Sequence, residues 1–511
     1  MNAQEALAAP GIPKATRREW IGLGVLALPC LLYSMDLTVL NLAVPRLAQD
    51  LKPSASQLLW IVDIYGFLVA GALITMGTLG DRIGRRKLLM IGAAVFGIVS
   101  VLAAFAPSAK LLIAARALLG LAAATLAPST LSLIRNMFLD DRQRTLAIGV
   151  WGASFSAGAA IGPFVGGLLL EHFWWGSVFL ASVPVMVLLL ILAPRLLPEF
   201  RDPKSGRLDI PSAALSLGAV LSVIYGIKRM SEMLVFSFEH AMFIGLGLVL
   251  AALFVRRQQR LADPLIDPAM FRIRALRAAL VINIVGLFAA FGFFLLVAQY
   301  FQLALGMGPL EAGLWSAPSG PALVIGSLLT PALAHRIRPA SLLAGAFIIG
   351  AIGLVLIAYA AAHPNMPLFM TGFVAFCFGI APMGTLTTDI VMNTAPPERA
   401  GAASGISETS FELGGALGIA LLGSFVTALY RSSTAGMAPI AGIDIAPAKE
   451  TLAGAVAVAR NLPPEIGGPL LAMARQAFVG AFTQAALVAA ALCVVVAIIS
   501  LAFLRRTSVA R

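Results

Sequence analysis

Four acidic side chains lie in long apolar stretches of this 511-residue sequence, namely Asp36, Asp63, Glu408 and Glu412. An ionised side chain at the centre of a bilayer costs about 2.5–3.5 kcal/mol on insertion scales, so such residues are rare and usually functional. A buried carboxylate is stabilised either by a proton or by a cation, and the two compete. We therefore interpret these acids as part of a path that exchanges protons for cations.

The pair Glu408 and Glu412 carries the strongest signal for proton coupling. The two residues are four apart, so on a helix they share one face. Two buried carboxylates on one face favour each other's protonated form, and such a pair titrates jointly. The alternative is a structural, hydrogen-bonded pair. Asp389 lies too close to the inner end of its apolar run to be more than a cap or a gate.

The second group of candidate ligands surrounds Asp63. Trp60, Asp63 and Phe67 share a helix face, and a carboxylate between two aromatic rings could hold a delocalised cation. The alternative is an interfacial acid flanked by aromatic residues at the membrane surface. Tyr33 completes the candidate substrate and proton ligands, together with Asp36.

Arg116 is the one basic residue within an apolar run. A buried guanidinium requires a carboxylate partner, and the candidates are Asp36 and Asp63. The alternative is an interfacial arginine that extends towards the outer surface near Lys110.

The segment from Gly77 to Lys87 predicts a tight turn with a conformational role. Its glycines allow close backbone approach, and Asp81 can accept hydrogen bonds from the N-terminus of the next helix. The alternative is a generic basic loop. The residues predicted to take part are Asp81, Arg82, Gly84 and Arg85.

A glycine-rich segment in the fifth apolar run could be a hinge or a seal against proton leak. Small residues four apart let helices pack closely, and a proline kinks a helix. Plain helix packing is the alternative. The residues concerned are Gly158, Gly162, Pro163, Gly166 and Gly167.

Composition indicates an integral membrane protein. Hydrophobic residues make up 59% of the sequence and charged residues only 12%, with a formal net charge of +12. Most of the 36 Lys and Arg residues fall in the N-terminal segment and in every second loop after it, as the positive-inside rule expects when both termini are cytoplasmic. The basic balance therefore reports topology, and we expect no nucleic-acid partner. The three cysteines lie in apolar runs without metal-ligand spacing, so we expect no metal.

The apolar runs predict an all-α fold of fourteen membrane spans. We expect a cytoplasmic tail (1–19), a six-helix bundle (20–197), two extra helices with linkers (198–274), a second six-helix bundle (275–504) that includes an outer loop (431–473), and a cytoplasmic tail (505–511). Paired six-helix halves are a transporter architecture with the ligand site between them. The predicted spans are 20–44, 57–80, 88–106, 111–134, 145–170, 174–197, 209–228, 241–255, 277–304, 311–334, 340–361, 366–391, 401–430 and 476–504.

These motifs, in these spans, resemble the ordered signature set of major facilitator superfamily antiporters. The segments are 36–45, 77–87, 116–120 and 158–167, and with fourteen spans they resemble the drug:proton antiporter-2 branch. The runs 59–65, 170–179 and 408–414 are similar to exporters of the SmvA, QacA and LfrA type, which handle quaternary ammonium compounds and methyl viologen. The resemblance covers nearly the whole chain.

The resemblance implies export of lipophilic mono- and dications against inward protons. Asp36 and Asp63 would be the acids of the first and second helices, and Glu408 the coupling acid, with Glu412 beside it. Two departures exist: the segment from Leu314 to Pro331 lacks the acid of QacA-type dication exporters, and Leu119 replaces a frequent Gln.

The predicted function is therefore a proton-coupled multidrug efflux antiporter in the bacterial cytoplasmic membrane. It would need no cofactor beyond the proton motive force, and its partners would be cationic small molecules, protons and lipid. We expect a monomer. The main alternative is a proton-coupled transporter of a metabolite such as a polyamine, an amino acid or a siderophore. A membrane enzyme or receptor is disfavoured, because the outer loops contain no nucleophile–base or metal constellation.

Overall fold

A computed structural model describes residues 14–53, 55–201, 209–233, 238–261, 264–437 and 443–504. The predicted tails (residues 1–13 and 505–511), most of the linker before the extra helices, and residues 438–442 of the outer loop lie outside these ranges. The described chain is helical almost throughout. Each predicted apolar run is helical, in one long helix or in two consecutive shorter ones, because a backbone surrounded by hydrocarbon must satisfy its own hydrogen bonds.

The first part of the chain forms seven helices, which we call the N half. Two short helices, α6 and α7, together make its sixth apolar span, Ser177–Leu196. The N-half helices are α1 (Arg17–Leu51), α2 (Ala55–Ile83), α3 (Arg85–Ala104), α4 (Ala109–Met137), α5 (Asp141–His172), α6 (Ser177–Leu180) and α7 (Val183–Leu196).

Two extra helices follow, and then the C half. Helix α10 continues through a π-turn (Tyr300–Ala304), and α11 and α12 are consecutive pieces of one span. The remaining helices are α8 (Ile210–Met233), α9 (Phe238–Gln258), α10 (Arg274–Gln299), α11 (Pro309–Ser316), α12 (Ser319–Ala334), α13 (Pro339–Ala362), α14 (Met366–Thr394), α15 (Ala400–Thr434), α16 (Ala446–Glu450), α17 (Leu452–Arg460) and α18 (Pro464–Phe503).

The protein crosses a membrane several times. Among the described residues, 12 helical segments are long and apolar enough to span a bilayer. Helices α1 and α5, with 35 and 32 residues, are outside that set but long enough to cross, and they pack against each other inside the N half. The count of fourteen spans therefore stays a prediction.

The two halves meet mainly along two pairs of helices. Helix α2 packs on α15, and α5 packs on α12. We call the end of the bundle at the α2–α3 turn, near Gly84, the inner end. The opposite end, covered by α16 and α17, is the outer end.

The extra helices pack together, and α8 also contacts α2 and α15. At the start of α8, the Asp209 carboxylate accepts two hydrogen bonds from the Arg257 guanidinium at 2.7 and 2.8 Å and one from the Ser212 backbone at 3.2 Å. The bonds from Arg257 hold the pKa of Asp209 well below its usual range. The inner ends of α8 and α9 are thereby joined.

The outer loop is shorter than predicted. Helix α15 continues to Thr434 and α18 begins at Pro464 rather than near residue 476, with Pro463 and Pro464 at its start. Proline is favoured in the first turn of a helix because the missing N–H would be unpaired there. Between these two helices, α16 and α17 form a short hairpin.

The three cysteines are free and buried. Cys30 lies in α1, where its Sγ is 3.6 Å from the Thr130 hydroxyl within the N half. Cys377 and Cys493 lie in α14 and α18, within the C half, and both are fully buried. Each thiol is therefore enclosed within one half of the bundle.

Candidate functional site

Arg116 pairs with Asp36, one of its two candidate partners. The guanidinium donates to Asp36 Oδ2 at 2.6 Å and to the Ile61 carbonyl at 3.2 Å. It also lies over the Tyr65 ring, 4.5 Å from the ring centroid. The Arg116 side chain is 1% exposed and that of Asp36 is 17% exposed. The pair therefore lies inside the N half, and the carboxylate is its more accessible member. This placement disagrees with an outward-extending interfacial arginine.

Glu412 reaches across from the C half to Tyr33. The Tyr33 hydroxyl donates to Glu412 Oε1 at 2.6 Å, and this bond joins α1 to α15 in the middle of the bundle. Glu408, one turn away on the same face, has a buried Oε1 without a hydrogen-bond partner. A buried carboxylate oxygen without a partner is unfavourable unless the group is protonated or meets a cation.

Aromatic rings connect these two groups, and sequence reasoning named only Tyr33 among them. Tyr33 lies 6.2 Å from Tyr65 and 5.6 Å from Phe155, measured between ring centroids. Phe155 in turn contacts Trp151 at 4.8 Å. The acids of both halves therefore face one aromatic surface, which suits the delocalised charge of an organic cation. Tyr65 lay within a motif noted in the sequence, but its type alone gave no signal of a role.

Trp60 and Phe67 pack on each other and on the extra helix α8. Their centroids are 6.2 Å apart, and Trp60 stacks on Tyr225 at 6.1 Å. Asp63 is half-buried on the same helix. One aromatic face of the proposed cradle is therefore already occupied by a ring from α8, a contact between distant segments that no local pattern predicts.

The glycines of α5 bring its backbone against α1. A Cβ at Gly158 would lie 2.1 Å from the Leu31 carbonyl oxygen, and one at Gly166 would lie 2.8 Å from the Val39 side chain. Gly162 is buried and Gly167 is exposed, and α5 runs as a helix through Pro163. Gly158 and Gly166 therefore pack against the helix that carries Tyr33 and Asp36, which agrees with the packing alternative. The hinge stays a prediction.

At the inner end, Asp81 binds the N-terminus of α15. Its carboxylate accepts the backbone N–H groups of Gly401 and Ala402 at 3.0 and 3.1 Å. A carboxylate at a helix N-terminus satisfies unpaired donors and the helix dipole. The sequence predicted that Asp81 accepts hydrogen bonds from the N-terminus of the next helix. The next helix, α3, contributes the side chain of its first residue, Arg85, whereas the backbone donors belong to α15 in the other half.

Arg85 and Glu199 complete this contact. Arg85 pairs with Asp81 at 2.7 Å and donates to the Pro397 carbonyl of the C half at 2.8 Å. Glu199 accepts the backbone N–H groups of residues 86 and 87 at 3.1 and 3.2 Å, so it takes the α3 role that was predicted for Asp81. Gly84, with φ of 111°, makes the turn, a conformation open to glycine. Arg82 is half-buried beside them.

A second set of contacts joins α4 and α5 to α14 at the inner end. Asp389, 1% exposed, lies 3.7 Å from the Arg144 guanidinium and accepts from the Thr145 hydroxyl at 3.4 Å. Arg135 donates to the Ala395 carbonyl at 2.6 Å. Among the residues that the structure describes, the hydrogen bonds and ion pairs between the halves thus concentrate at the inner end, which is closed.

The family model of the Major Facilitator Superfamily matches residues 26–419 of this chain. The chain belongs to the Major Facilitator Superfamily. Membership places it among membrane transporters, in agreement with the two packed halves described above.

Two curated relatives extend over almost the whole chain. It is 42% identical to the multidrug efflux pump LfrA of Mycolicibacterium smegmatis, over 97% of this chain and 99% of that protein. It is 35% identical to the methyl viologen resistance protein SmvA of Salmonella typhimurium, over 90% of this chain and 93% of that one. Among solved structures, the human organic anion transporter MFSD10 (TETRAN) aligns with a TM-score of 0.62 at 15% identity, covering 93% of this chain and 99% of the other. At that identity the alignment supports the fold alone.

In the described part of the chain, no group of three or more His, Cys, Asp or Glu side chains could hold a metal ion. The charges that the site presents to a ligand are carboxylates.

Gly77→Ala should open the inner end. A Cβ there would lie 2.1 Å from the Gly401 carbonyl oxygen, so α2 and α15 must separate, whereas a Cβ at Gly66 on the same helix meets nothing within 4 Å. We expect export to fall about tenfold or more, which corresponds to ~1.4 kcal/mol against the closed form. Electron–electron distances between spin labels at Lys87 and Arg336 should lengthen in Gly77→Ala and not in Gly66→Ala. Unchanged distances in both variants would contradict the inference that the contact between Gly77 and Gly401 keeps the inner end closed.

Proposed function

We propose that the chain exports lipophilic organic cations, such as quaternary ammonium compounds, in exchange for protons across the bacterial cytoplasmic membrane, with both termini inside. The observation that carries the proposal is an imbalance of charge in the central site. Arg116 is paired with Asp36, whereas Glu408 and Glu412 are half-buried and have no basic partner among the described residues.

Glu408 and Glu412, the two acids without a basic partner, account for the exchange of protons for cations. With protons bound, they lose their charge and release a cationic substrate. With a cation bound, their negative charge is offset, and the protons leave. One site therefore cannot hold both ligands at once, which is the requirement for obligatory exchange between two conformations.

Known relatives support efflux as the direction. The names of LfrA and SmvA describe a multidrug efflux pump and a methyl viologen resistance protein, and methyl viologen is an organic dication. The aromatic surface formed by Tyr33, Tyr65 and Phe155 suits such ligands. The closed inner end corresponds to a state that releases substrate outward and takes up protons there.

The membrane potential favours the proposed exchange when more positive charge enters than leaves. Each charge that moves inward contributes about 2.3 kcal/mol per 100 mV. Two protons for one monocation carry one net charge inward, and a dication needs at least three protons for the same drive. Without a pH gradient, the exchange runs only at such ratios.

Purified protein in vesicles with an entrapped pH-sensitive dye tests the proposal. Adding tetraphenylphosphonium or methyl viologen should produce proton flux opposite to the cation, and an imposed inside-negative potential should speed it. Choline and spermidine serve as small polar cations for comparison. Proton flux in response to the polar cations alone would favour a metabolite transporter. The absence of proton flux with every cation tested would refute the proposal.

A further inference from the structure

A cavity of about 250 Å³ lies beneath the outer hairpin, between α10, α15, α17 and α18. We call it the outer cavity. Its walls are mainly apolar, with Leu295, Ile419 and Val426 among them, and Tyr430 and Phe478 add two aromatic rings. A mostly apolar cavity with a few fixed polar groups is the usual form of a small-molecule site.

The outer cavity holds one strong charge, and it is negative. Glu450 is the single acid among the lining residues that the structure describes, and no Lys, Arg or His is among them. Glu450 is exposed and has no ion-pair partner in the described part of the chain. A ligand in this cavity therefore meets apolar walls, aromatic rings and one free carboxylate, which together select a lipophilic cation.

The backbone around Glu450 is held firmly. The Tyr430 hydroxyl donates to the Ala448 carbonyl at 2.7 Å, and the Thr434 hydroxyl donates to the Lys449 carbonyl at 2.8 Å. On the other side, the Thr451 side chain caps α17 by accepting the Gly454 N–H at 3.1 Å. The carboxylate is thus carried by a segment fixed to α15.

The outer cavity lies on the same face of α15 as the central acids, Glu408 and Glu412. From Glu412, the lining residues Ile419, Gly423 and Tyr430 follow at helical spacings of seven, four and seven residues, which keeps them on one face. At about 1.5 Å per residue, the cavity begins roughly 10 Å outward of Glu412.

Helix α10 forms the second wall of this route. Phe291 is exposed, and its ring lies against the position of Gly415, between Glu412 and the cavity. Leu295 and Gln299, one and two turns further out, line the cavity itself. A continuous row of side chains on α10 and α15 therefore leads from the central acids to Glu450. None of the residues named in this row is basic.

We propose that the outer cavity is a second cation-binding site, in which Glu450, Tyr430 and Phe478 hold an exported lipophilic cation after it leaves the central acids. This inference rests on the proposed function and adds an exit step to it. When protons neutralise Glu408 and Glu412, the exposed Glu450 carboxylate is the next acid on the outward route. The cation then moves outward towards the remaining carboxylate before it enters solution.

Equilibrium dialysis of benzyltrimethylammonium against protein in lipid nanodiscs counts the bound cations. We expect two per protein. Glu450→Gln should weaken one of them about three- to fivefold, as for loss of an exposed ion pair, and leave the other unchanged. Glu412→Gln should do the reverse. Glu465→Gln, an exposed acid outside the cavity, serves as the charge control.

A steric variant separates cavity occupancy from charge. A Cβ at Gly423 meets nothing within 4 Å, and this residue lines the cavity, so Gly423→Leu should fill the space and abolish the second site. Gly480→Leu, at an equally open glycine of α18 that does not line the cavity, is the matched control.

The outcomes distinguish the exit site from the proposed function. Binding of one cation, removed by Glu412→Gln and indifferent to Glu450→Gln and Gly423→Leu, would overturn the exit site and leave the exporter proposal standing. The same holds if Gly423→Leu changes only the amount of co-purified lipid, because the cavity would then house an acyl chain. No cation binding to the unmodified protein would overturn both.

Discussion

Glu412→Gln in reconstituted vesicles should abolish cation-driven proton flux and weaken cation binding in the centre. Glutamine has nearly the same shape, and its amide oxygen can still accept the Tyr33 hydrogen bond, but it carries neither a charge nor a transferable proton. Loss of one partner from a buried charge pair costs about 2–5 kcal/mol, so central cation affinity should fall about 30-fold or more. Dye-reported flux and cation binding measure the two effects.

Glu408→Gln makes a second, separate comparison, since the buried Oε1 of Glu408 has no hydrogen-bond partner. We expect flux to fall here as well, while the Tyr33–Glu412 contact remains. Glu465→Gln at the outer surface should behave as the unmodified protein. Export at an undiminished rate in the Glu408→Gln/Glu412→Gln double variant would remove these acids from the coupling mechanism.

Asp36→Asn should both stop export and destabilise the protein. The substitution leaves the Arg116 guanidinium buried, 1% exposed, without its carboxylate partner. An uncompensated buried charge costs about 3–5 kcal/mol, which should lower the thermal unfolding midpoint measured in detergent. Asp50→Asn, at an exposed acid near the outer end of the same helix, should change neither property.

A double variant separates the structural role of Asp36 from its role in transport. Asp36→Asn/Arg116→Gln removes both charges, so most of the lost stability should return, as expected for coupled partners. Export should not return, because the carboxylate nearest the opening of the N half is still missing. Recovery of export together with stability would mean that Asp36 serves only to neutralise Arg116.

The long helices could be predicted from the sequence because their cause is local. An uninterrupted apolar run must be helical in a bilayer whatever surrounds it. The start of α18 was misplaced because residues 464–475 mix polar and apolar side chains, and the helix there packs against α17. The prolines at 463 and 464 were a local signal of the true start.

The site was predictable by residue type but not by partner. An ionised acid within a membrane span is energetically unfavourable, so Asp36, Glu408 and Glu412 could be identified from the sequence. Whether Arg116 pairs with Asp36 or with Asp63 depends on how the helices are rotated relative to each other, which the sequence does not show. The same limit explains Asp81, whose acceptor role was correct but whose backbone donors, Gly401 and Ala402, lie 320 and 321 positions away in the sequence.

Because its three thiols are buried, the unmodified protein should react little with cysteine-directed labels. Cys30 sits within one half and Cys377 and Cys493 within the other, so rocking of the halves as rigid bodies would expose none of them. A maleimide dye should then react only with a cysteine introduced on the surface. Fluorescent reporters of motion could be installed without first deleting the native sulfhydryl groups.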